Sequence, residues 1–376
     1  MKIPFNRASL AGGELENVQA AFAGGHISGD GPFTAQAHRL LAEITGAKKV
    51  LLTTSCTHAL EMTALLLDVQ PGDEVIVPSF TFVSTVNAYV LRGAKPVFVD
   101  VRPDTLNLDE GLLEAKITER TRAIVPVHYA GVGCEMDEIG RIAAARKIPV
   151  VEDAAHGLFG KYRGRPLGSF GAFATLSFHE TKNLTCGEGG ALLLNDERHV
   201  DRAEIIREKG TNRSLFFRGQ VDKYGWVDIG SSYLPSEILA AFLCAQLVQI
   251  ETIQERRGVI WKRYLAELAP WATENGVRLP VIPAHCEQPF HMFHLLFPSL
   301  DRRQAFIAHM KQAGIITPFH YLPLHASPMG RKFGYAEGDC PVTEDVSDRL
   351  VRLPLFPSLS AAEQSEVIER VLAFRV

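Results

Sequence analysis

Residues 172–190 read AFATLSFHETKNLTCGEGG and place one lysine, Lys182, between an apolar run and a cluster of glycines. The apolar run, residues 172–178, has the length and composition of a buried strand. The glycines that follow allow the backbone to approach a flat or anionic group closely. A lysine that loses water in such a place loses its proton more readily, which makes it an amine nucleophile. The alternative interpretation is a lysine at a strand end whose ammonium group reaches water.

The chain around this segment alternates between apolar runs of strand length and helical patterns. The predicted strands are KVLLTTS (49–55), EVIVPSF (74–80), KPVFVDV (95–101), AIVPVHY (123–129), IPVVEDA (148–154), FATLSFH (173–179) and ALLLND (191–196). THALEMTALLLDV (57–69) and VSTVNAYVLRG (83–93) are predicted helices between them. Strands that are apolar throughout, joined by helical crossovers, predict an α/β fold with a mostly parallel central sheet sandwiched by helices.

The length of 376 residues predicts two domains. We expect a large domain with an N-terminal arm over residues 1–250 and a smaller C-terminal α+β domain over residues 251–376. One long helix, from Ser236 to about Leu268, is predicted to connect them. A capping box at Ser360 and Glu363 predicts the start of the closing helix.

Composition excludes several classes of function. The formal net charge is -4 and no long basic run occurs, which argues against nucleic-acid binding. No apolar stretch approaches membrane-spanning length, and residues 1–19 contain no apolar signal core. The six cysteines are scattered without a C-x-x-C, so we expect reduced thiols. Together, these observations predict a cytoplasmic enzyme without membrane association. His285, Cys286, His291 and His294 lack the spacing of zinc ligands, and we predict no metal site.

In a mostly parallel sheet, ligands bind at the carboxyl ends of the strands. The first strand ends at Ser55, Cys56 and Thr57, where hydroxyl groups and free backbone N–H groups meet the start of a helix. This arrangement suits a phosphate group, although a simple helix cap is the alternative. After the second strand, Phe82 could stack on a planar heterocycle or be a core residue.

Two further strand ends carry polar groups. The buried run IPVV leads to Glu152, Asp153 and His156, and a buried carboxylate at this strand end needs a partner such as a pyridinium N–H. The sixth strand delivers Ser177 and then Lys182. A phosphate cradle, a stacking ring, a carboxylate and an amine are the groups that pyridoxal phosphate (PLP) requires. We therefore hypothesise that Lys182 binds PLP as a Schiff base.

Two segments are candidates for substrate contact. Residues 207–228 combine cations with aromatic rings, among them Arg213, Arg218 and Tyr224, and this combination suits a nucleotide diphosphate. A solvated loop is the alternative there. A later predicted loop contains three more candidates, whose alternative role is loop packing: His320, Tyr321 and His325.

The motifs around the lysine resemble those of a known family. Asp153 with His156 three residues later, Ser177 five residues before Lys182, and the run KNLTCGEGG at 182–190 are similar to those of the DegT/DnrJ/EryC1/StrS family of PLP-dependent sugar aminotransferases. The resemblance covers essentially the whole chain. It implies a fold-type-I PLP transferase.

The resemblance also implies individual roles. Lys182 would hold the cofactor covalently and act as the catalytic residue, and Asp153 would pair with the pyridine nitrogen. His156 would lie near the ring hydroxyl, and Phe82 would stack on the ring. The cofactor phosphate would be held by Ser177, Cys56 and Thr57.

The family resemblance further implies a homodimer in which each active site receives a loop from the partner subunit. Many members place an asparagine on the phosphate of the neighbouring subunit. This chain has Ser231 and Ser232 at that point, so Ser232 is the candidate for the contact.

Residues 59–94 and 207–234 carry a closer resemblance to family members that act on a dTDP-4-keto-6-deoxysugar. It implies transfer of the amino group of L-glutamate to C4 of dTDP-4-keto-6-deoxy-D-glucose, which gives dTDP-4-amino-4,6-dideoxy-D-galactose for cell-envelope glycans. One alternative is an aminotransferase that gives a 3-amino or 4-epimeric product. Another is a non-catalytic nucleotide-sugar-binding protein. A related sugar 3-dehydratase would have histidine in place of Lys182.

Overall fold

The computed structural model describes residues 2–375. Its helices are α1 (Glu14–Ala23), α2 (Pro32–Thr45), α3 (Cys56–Leu66), α4 (Val83–Val90), α5 (Met136–Arg146), α6 (Val200–Arg207), α7 (Arg213–Phe217), α8 (Glu237–Val248), α9 (Ile250–Glu274), α10 (Leu300–Gln312), α11 (Pro328–Lys332), α12 (Pro341–Arg349) and α13 (Ala361–Leu372). Its strands are β1 (Lys49–Thr53), β2 (Glu74–Pro78), β3 (Lys95–Val99), β4 (Thr121–Ile124), β5 (Val151–Asp153), β6 (Lys161–Tyr162), β7 (Arg165–Pro166), β8 (Phe173–Ser177), β9 (Gly190–Leu194), β10 (Cys286–Glu287), β11 (Phe293–Leu296) and β12 (Leu350–Leu353).

The central sheet has the order β1-β9-β8-β5-β4-β2-β3. β2 pairs in parallel with β3 and β4, and β5 pairs in parallel with β8. Single parallel bridges from Ile124 to Val150 and from Val127 to Asp153 connect β4 with β5. β9 runs antiparallel to both β1 and β8. The prediction of a mostly parallel sheet is therefore confirmed, with β9 as the reversed strand.

Both faces of the sheet are covered, as strands that are apolar throughout require. On β9, Leu192 and Leu194 belong to the core formed with α3 and α6. Ala191 and Leu193 point to the opposite face and join the core formed with α2 and α8. The alternation of side chains along β9 thus contributes to two separate hydrophobic cores.

The predicted single long helix is wrong. α8 ends at Val248, α9 begins at Ile250, and their axes meet at 64°. α8 is apolar around its circumference and is buried against the sheet, whereas α9 has exposed polar positions and turns toward the C-terminal core. No glycine or proline marks the break at Gln249, so the sequence pattern continues through it. Within residues 2–375 no single helix could cross a membrane, although α8 and α9 pass that test as a bent pair.

The C-terminal part of the chain is α+β. α9, α10 and α13 pack around the antiparallel pair β11 and β12, with a core rich in phenylalanine. The capping box of α13 is present, since the Ser360 hydroxyl accepts the Glu363 N–H at 3.1 Å and the Glu363 carboxylate accepts the Ser360 N–H at 2.9 Å. Ile3 is fully buried in this same core. The division of the chain at residue 250 stays a prediction.

Candidate active site

A cavity of about 670 Å³ lies at the carboxyl ends of the parallel strands. It is lined by Phe5, Asn6, Ser55, Cys56, Thr57, Leu60, Thr81, Phe82, Ser84, Thr85, Val127, Asp153, Ala155, His156, Ser177, His179, Thr181, Lys182, Glu188, Gly189, His291, Met292, His320, Tyr321, Arg352, Leu353 and Leu355. The residues that the strand-end rule selected therefore lie at one edge of the sheet. Most of the residues predicted to hold the cofactor meet in this one cavity.

One wall of the cavity is the start of α3. Ser55 is the N-cap residue, and its hydroxyl accepts the backbone N–H of His58 at 3.1 Å. The N–H groups of Cys56 and Thr57, in the first turn, have no acceptor within the helix. They offer donors and the positive end of the helix dipole to an anion.

Gly190 allows this wall to form. A Cβ atom built on Gly190 would lie 2.3 Å from the carbonyl carbon of Ser55 and 2.4 Å from the nitrogen of Cys56. Both are backbone atoms, so no side chain could move aside. Gly190 also pairs with Ser177 on β8 and with Thr53 on β1. The ladder therefore holds Ser177 at the same edge as the start of α3.

The carboxylate of Asp153 is buried at the end of β5. Its Oδ2 accepts the hydroxyl of Thr85 at 2.7 Å, and its Oδ1 accepts the N–H of Ala155 at 3.1 Å. The Thr85 hydroxyl in turn lies 2.9 Å from that of Thr81. Because both donors to Asp153 are neutral, a protonated ring nitrogen in the cavity would provide the balancing charge.

The neighbouring acid, Glu152, has a structural role. It points to the other face of β5 and accepts the N–H groups of Gly168, Phe170 and Gly171 at 2.6–2.8 Å. His128 Nε2 lies 2.9 Å from its carboxylate. Of the two consecutive acids, only Asp153 lines the cavity.

Lys182 lies in the loop between β8 and β9, where its side chain is half-buried in the cavity. Burial lowers the pKa of its amine to about 8; Arg352 acts in the same direction, while Cys56 and Asp153 act against it. A pKa this low leaves a substantial fraction of the amine uncharged near neutral pH. This is the property that a Schiff-base lysine needs.

Two stacked histidines form the opposite wall. The rings of His156 and His291 are 4.1 Å apart and inclined by 20°. His291 Nδ1 lies 2.8 Å from the side-chain oxygen of Asn183, while the buried Nδ1 of His156 has no hydrogen-bond partner. Burial lowers the pKa of both histidines well below the usual value, so both are neutral. The unpaired nitrogen of His156 suits the hydroxyl of a bound ring.

Aromatic side chains form the outer part of the cavity. Phe82 is 56% exposed at the N-cap of α4, and its ring lies 6.2 Å from that of Tyr321. His320 is buried, with its Nδ1 3.1 Å from the Tyr129 hydroxyl. An exposed phenylalanine that faces a cavity is available to stack on a planar ligand.

These groups fit PLP. The start of α3 suits its phosphate, Asp153 its ring nitrogen, the unpaired His156 nitrogen its hydroxyl, and Lys182 its aldehyde. Fold and site together define a PLP-dependent enzyme of fold type I.

Residues 9–372 match the DegT/DnrJ/EryC1/StrS aminotransferase family. The spore coat polysaccharide biosynthesis protein SpsC of Bacillus subtilis is 33% identical over 98% of this chain and 96% of its own. The protein MJ1066 of Methanocaldococcus jannaschii is 37% identical over 91% and 89%. Spr1654 of Streptococcus pneumoniae, assigned as a sugar aminotransferase, superimposes with a TM-score of 0.91 at 29% identity over 99% and 97%. It has also been solved in its PLP and PMP (pyridoxamine phosphate) forms.

The chain belongs to the DegT/DnrJ/EryC1/StrS aminotransferase family. It is a transaminase, and its cofactor is PLP.

Some predicted site residues lie elsewhere in this chain. Arg213 and Arg218, in and just after α7, pair with Glu208 and Glu204 at 3.7 Å and 2.6 Å. Tyr224 is exposed beside Arg213. None of the three predicted residues lines the cavity. Their contact with substrate stays a prediction.

His325 and Ser232 also lie away from the cavity. His325 is fully buried, with its Nδ1 2.6 Å from the Ser79 hydroxyl and its Nε2 2.8 Å from the Glu344 carboxylate. These contacts use both ring nitrogens, so the loop-packing alternative describes its position in this chain. Ser232 is exposed and forms a β-bridge with Glu208.

Among the cavity residues that sequence reasoning missed are Thr85, His291 and Arg352. Thr85 stands one turn after Thr81, directly beyond a strand end, and the strand-end rule could have found it. Arg352 interrupts the apolar run LVRLPLF at 350–356, and a lone cation in such a run is a usable signal. His291 was considered only as a zinc ligand.

Proposed function

We propose that this enzyme transfers the amino group of L-glutamate to C4 of dTDP-4-keto-6-deoxy-D-glucose. The products are 2-oxoglutarate and dTDP-4-amino-4,6-dideoxy-D-galactose. The donor carbon is oxidised from amine to ketone and the sugar carbon is reduced from ketone to amine, so no external reductant is needed. The proposal is supported by the sequence resemblance and by the polysaccharide and sugar assignments of SpsC and Spr1654.

The observation that carries the transamination is the meeting of Lys182 and Asp153 in one cavity, 29 residues apart in sequence. Lys182 lies in the loop after β8, and Asp153 ends β5, which is the strand next to β8. A helix start closes the third side of the cavity. Packing alone does not require an amine, a carboxylate and unpaired N–H groups to face the same space.

PLP, when bound, accepts the donor's amino group and later releases it to the sugar. The uncharged amine of Lys182 would remove the proton from the α-carbon of the donor as a general base, and in the second half-reaction the protonated form of the same amine would deliver a proton to C4 of the sugar as a general acid. Asp153 holds the ring nitrogen protonated. Thr85 orients Asp153 through its 2.7 Å hydrogen bond.

We also propose that the active form is a homodimer with shared active sites. The segment proposed to bind the nucleotide exposes large apolar side chains, including Trp226 at 84% and Phe217 at 69%. Exposed aromatic rings of this size mark a surface that another molecule covers. In this arrangement Arg213, Arg218 and Tyr224 would serve the neighbouring cavity. Ser232 would then contact the cofactor phosphate in the neighbouring active site. The cytoplasmic location of the enzyme is a separate point and remains a prediction.

The main alternative is a related aminotransferase that forms a 3-amino or 4-epimeric sugar. The carbon that is aminated depends on how the sugar lies over the cofactor. A non-catalytic nucleotide-sugar-binding protein is less well supported, because it would not require a lysine with a pKa of about 8 beside a buried carboxylate.

The decisive experiment is incubation of the purified enzyme with PLP, L-glutamate and dTDP-4-keto-6-deoxy-D-glucose, followed by NMR of the product. We expect an axial amino group at C4. Lys182→Ala should abolish turnover and keep the fold, whereas Lys161→Ala, at an exposed ion pair with Glu287, should change neither. A different aminated carbon would refute the substrate assignment, and turnover by Lys182→Ala near the wild-type rate would refute the role of Lys182.

A further inference from the structure

Arg352 is a cation in the cavity that the cofactor fit leaves without a role. It lies on β12 in the C-terminal core and lines the same cavity as Lys182. One of its nitrogens, Nη2, donates to the carbonyl of Phe319 at 3.1 Å, and its guanidinium lies 4.4 Å from the ring centre of Phe5. Its Nε is buried and has no hydrogen-bond partner.

Within residues 2–375, no acid balances the charge of Arg352. The groups that favour its charged form are the phenols of Tyr129 and Tyr321, and burial lowers its pKa. Arg349, three residues earlier, also has a buried, unpaired Nε, but its Nη1 lies 2.9 Å from the Asp345 carboxylate and it does not line the cavity. A half-buried guanidinium whose Nε is buried, unpaired and without a nearby acid is costly unless an anion binds there.

We propose that Arg352 binds the α-carboxylate of the amino donor. This inference rests on the proposed transamination. A guanidinium presents parallel N–H donors that match a carboxylate in a two-point contact. Because the α-carboxylate is attached to the carbon whose proton Lys182 removes, its binding group must share the cavity with Lys182.

The position of Arg352 favours the donor over the nucleotide diphosphate. Arg352 and Lys182 line the same cavity. In a nucleotide sugar, the hexose ring separates the reacting carbon from the diphosphate, so the diphosphate lies farther from Lys182. Arg352 is therefore a specificity-determining residue for the first half-reaction.

The test measures the two half-reactions separately with the PLP-loaded enzyme. In the first, L-glutamate is mixed with the enzyme and the loss of the cofactor's visible absorbance gives an apparent Kd. For Arg352→Gln we expect this Kd to rise by about 10- to 100-fold, the loss of a charge-assisted contact. For 4-aminobutyrate, which has an amino group but no α-carboxylate, we expect less than about a twofold change. The reaction of the aminated enzyme with the keto sugar should also be unchanged.

Arg349→Gln is the matched control and should leave both half-reactions at wild-type values. Melting temperature and cofactor absorbance report on folding; if Arg352→Gln does not fold, Arg352→Lys is measured, and a smaller rise confined to L-glutamate is expected.

The inference is overturned if the Kd for L-glutamate is unchanged, or if 4-aminobutyrate is affected equally. A loss confined to the keto-sugar half would assign Arg352 to the diphosphate and overturn it as well. If the wild-type enzyme accepts no amino group from any amino acid, the proposed function itself fails, which is a different result.

Discussion

Gly190→Ala should separate the two elements that form the phosphate wall. The added Cβ would lie 2.3 Å from the Ser55 carbonyl carbon, which is about 1.1 Å short of the 3.4 Å at which ordinary contact begins. Gly190 does not have a positive φ, so the cost comes from space and not from backbone strain. Either β9 or the start of α3 has to move by about 1 Å.

A movement of this size removes hydrogen bonds from the first turn of α3 to a bound phosphate, because N–H donors lose most of their strength beyond about 3.5 Å. We expect the Kd of the apoprotein for PLP to rise by about 10- to 100-fold. Overpacking should also lower stability by about 1–3 kcal/mol. Titration of the apoprotein with PLP, followed by absorbance, measures the first effect, and urea denaturation measures the second.

The control is Gly140→Ala. Gly140 lies in α5, and a Cβ atom there meets no atom within 4 Å. This variant should keep the PLP affinity and gain about 0.5–1 kcal/mol of stability, as expected for alanine in a helix. Wild-type PLP affinity and stability in Gly190→Ala would show that the close approach of β9 and α3 does not form the phosphate site.

Three further results are expected. In the apoprotein, the amine of Lys182 should react with an acylating reagent at half its maximal rate near pH 8, because burial favours the neutral form and lowers the pKa. Below this pH the amine is protonated and should react more slowly. Peptide mass spectrometry measures the rate, and a midpoint above pH 10 would contradict this expectation. Asp153→Asn should lower kcat by about 100-fold while the melting temperature stays close to wild type, because the cofactor ring loses its charged partner. Glu152→Gln should instead lower the free energy of unfolding by about 2–4 kcal/mol, measured by urea denaturation, because an amide N–H₂ would face the backbone N–H groups that the carboxylate accepts. Equal stability of the Asp153→Asn and Glu152→Gln variants would refute the assignment of a catalytic role to Asp153 and a structural role to Glu152.

The strands and the edge that carries the site could be predicted because their signals are local. Apolar runs of strand length, separated by helical patterns, indicate a mostly parallel sheet, and strand ends then identify Ser55, Asp153 and Lys182. The assignment of Asp153, and not Glu152, to the cavity depends on the face of β5 to which each side chain points. The family resemblance supplied this assignment, whereas the sequence of this segment alone does not.

Other features depend on contacts between distant parts of the chain. Arg352 lines the same cavity as Lys182 because the C-terminal strand β12 packs against this edge of the sheet, and no local pattern encodes that packing. The break at Gln249 was missed for a similar reason, since helical propensity continues through it while burial against two different cores bends the chain. The reversed direction of β9 follows from the short return at residues 178–189, which forms no crossover helix and brings the chain directly back beside β8.

That short return limits how far the catalytic amine can travel. Ser177 and Gly190 face each other as paired residues, so the twelve residues between them form a closed loop whose two ends are clamped by the sheet. Lys182 would have to break its bond to the cofactor and form it again in every catalytic cycle. Because both ends of the loop are fixed by strand pairing, the amine stays close to the cofactor site throughout. Insertions in this loop should therefore slow the return of Lys182 to the cofactor before they lower the stability of the fold. We expect the length of the loop to tolerate little variation.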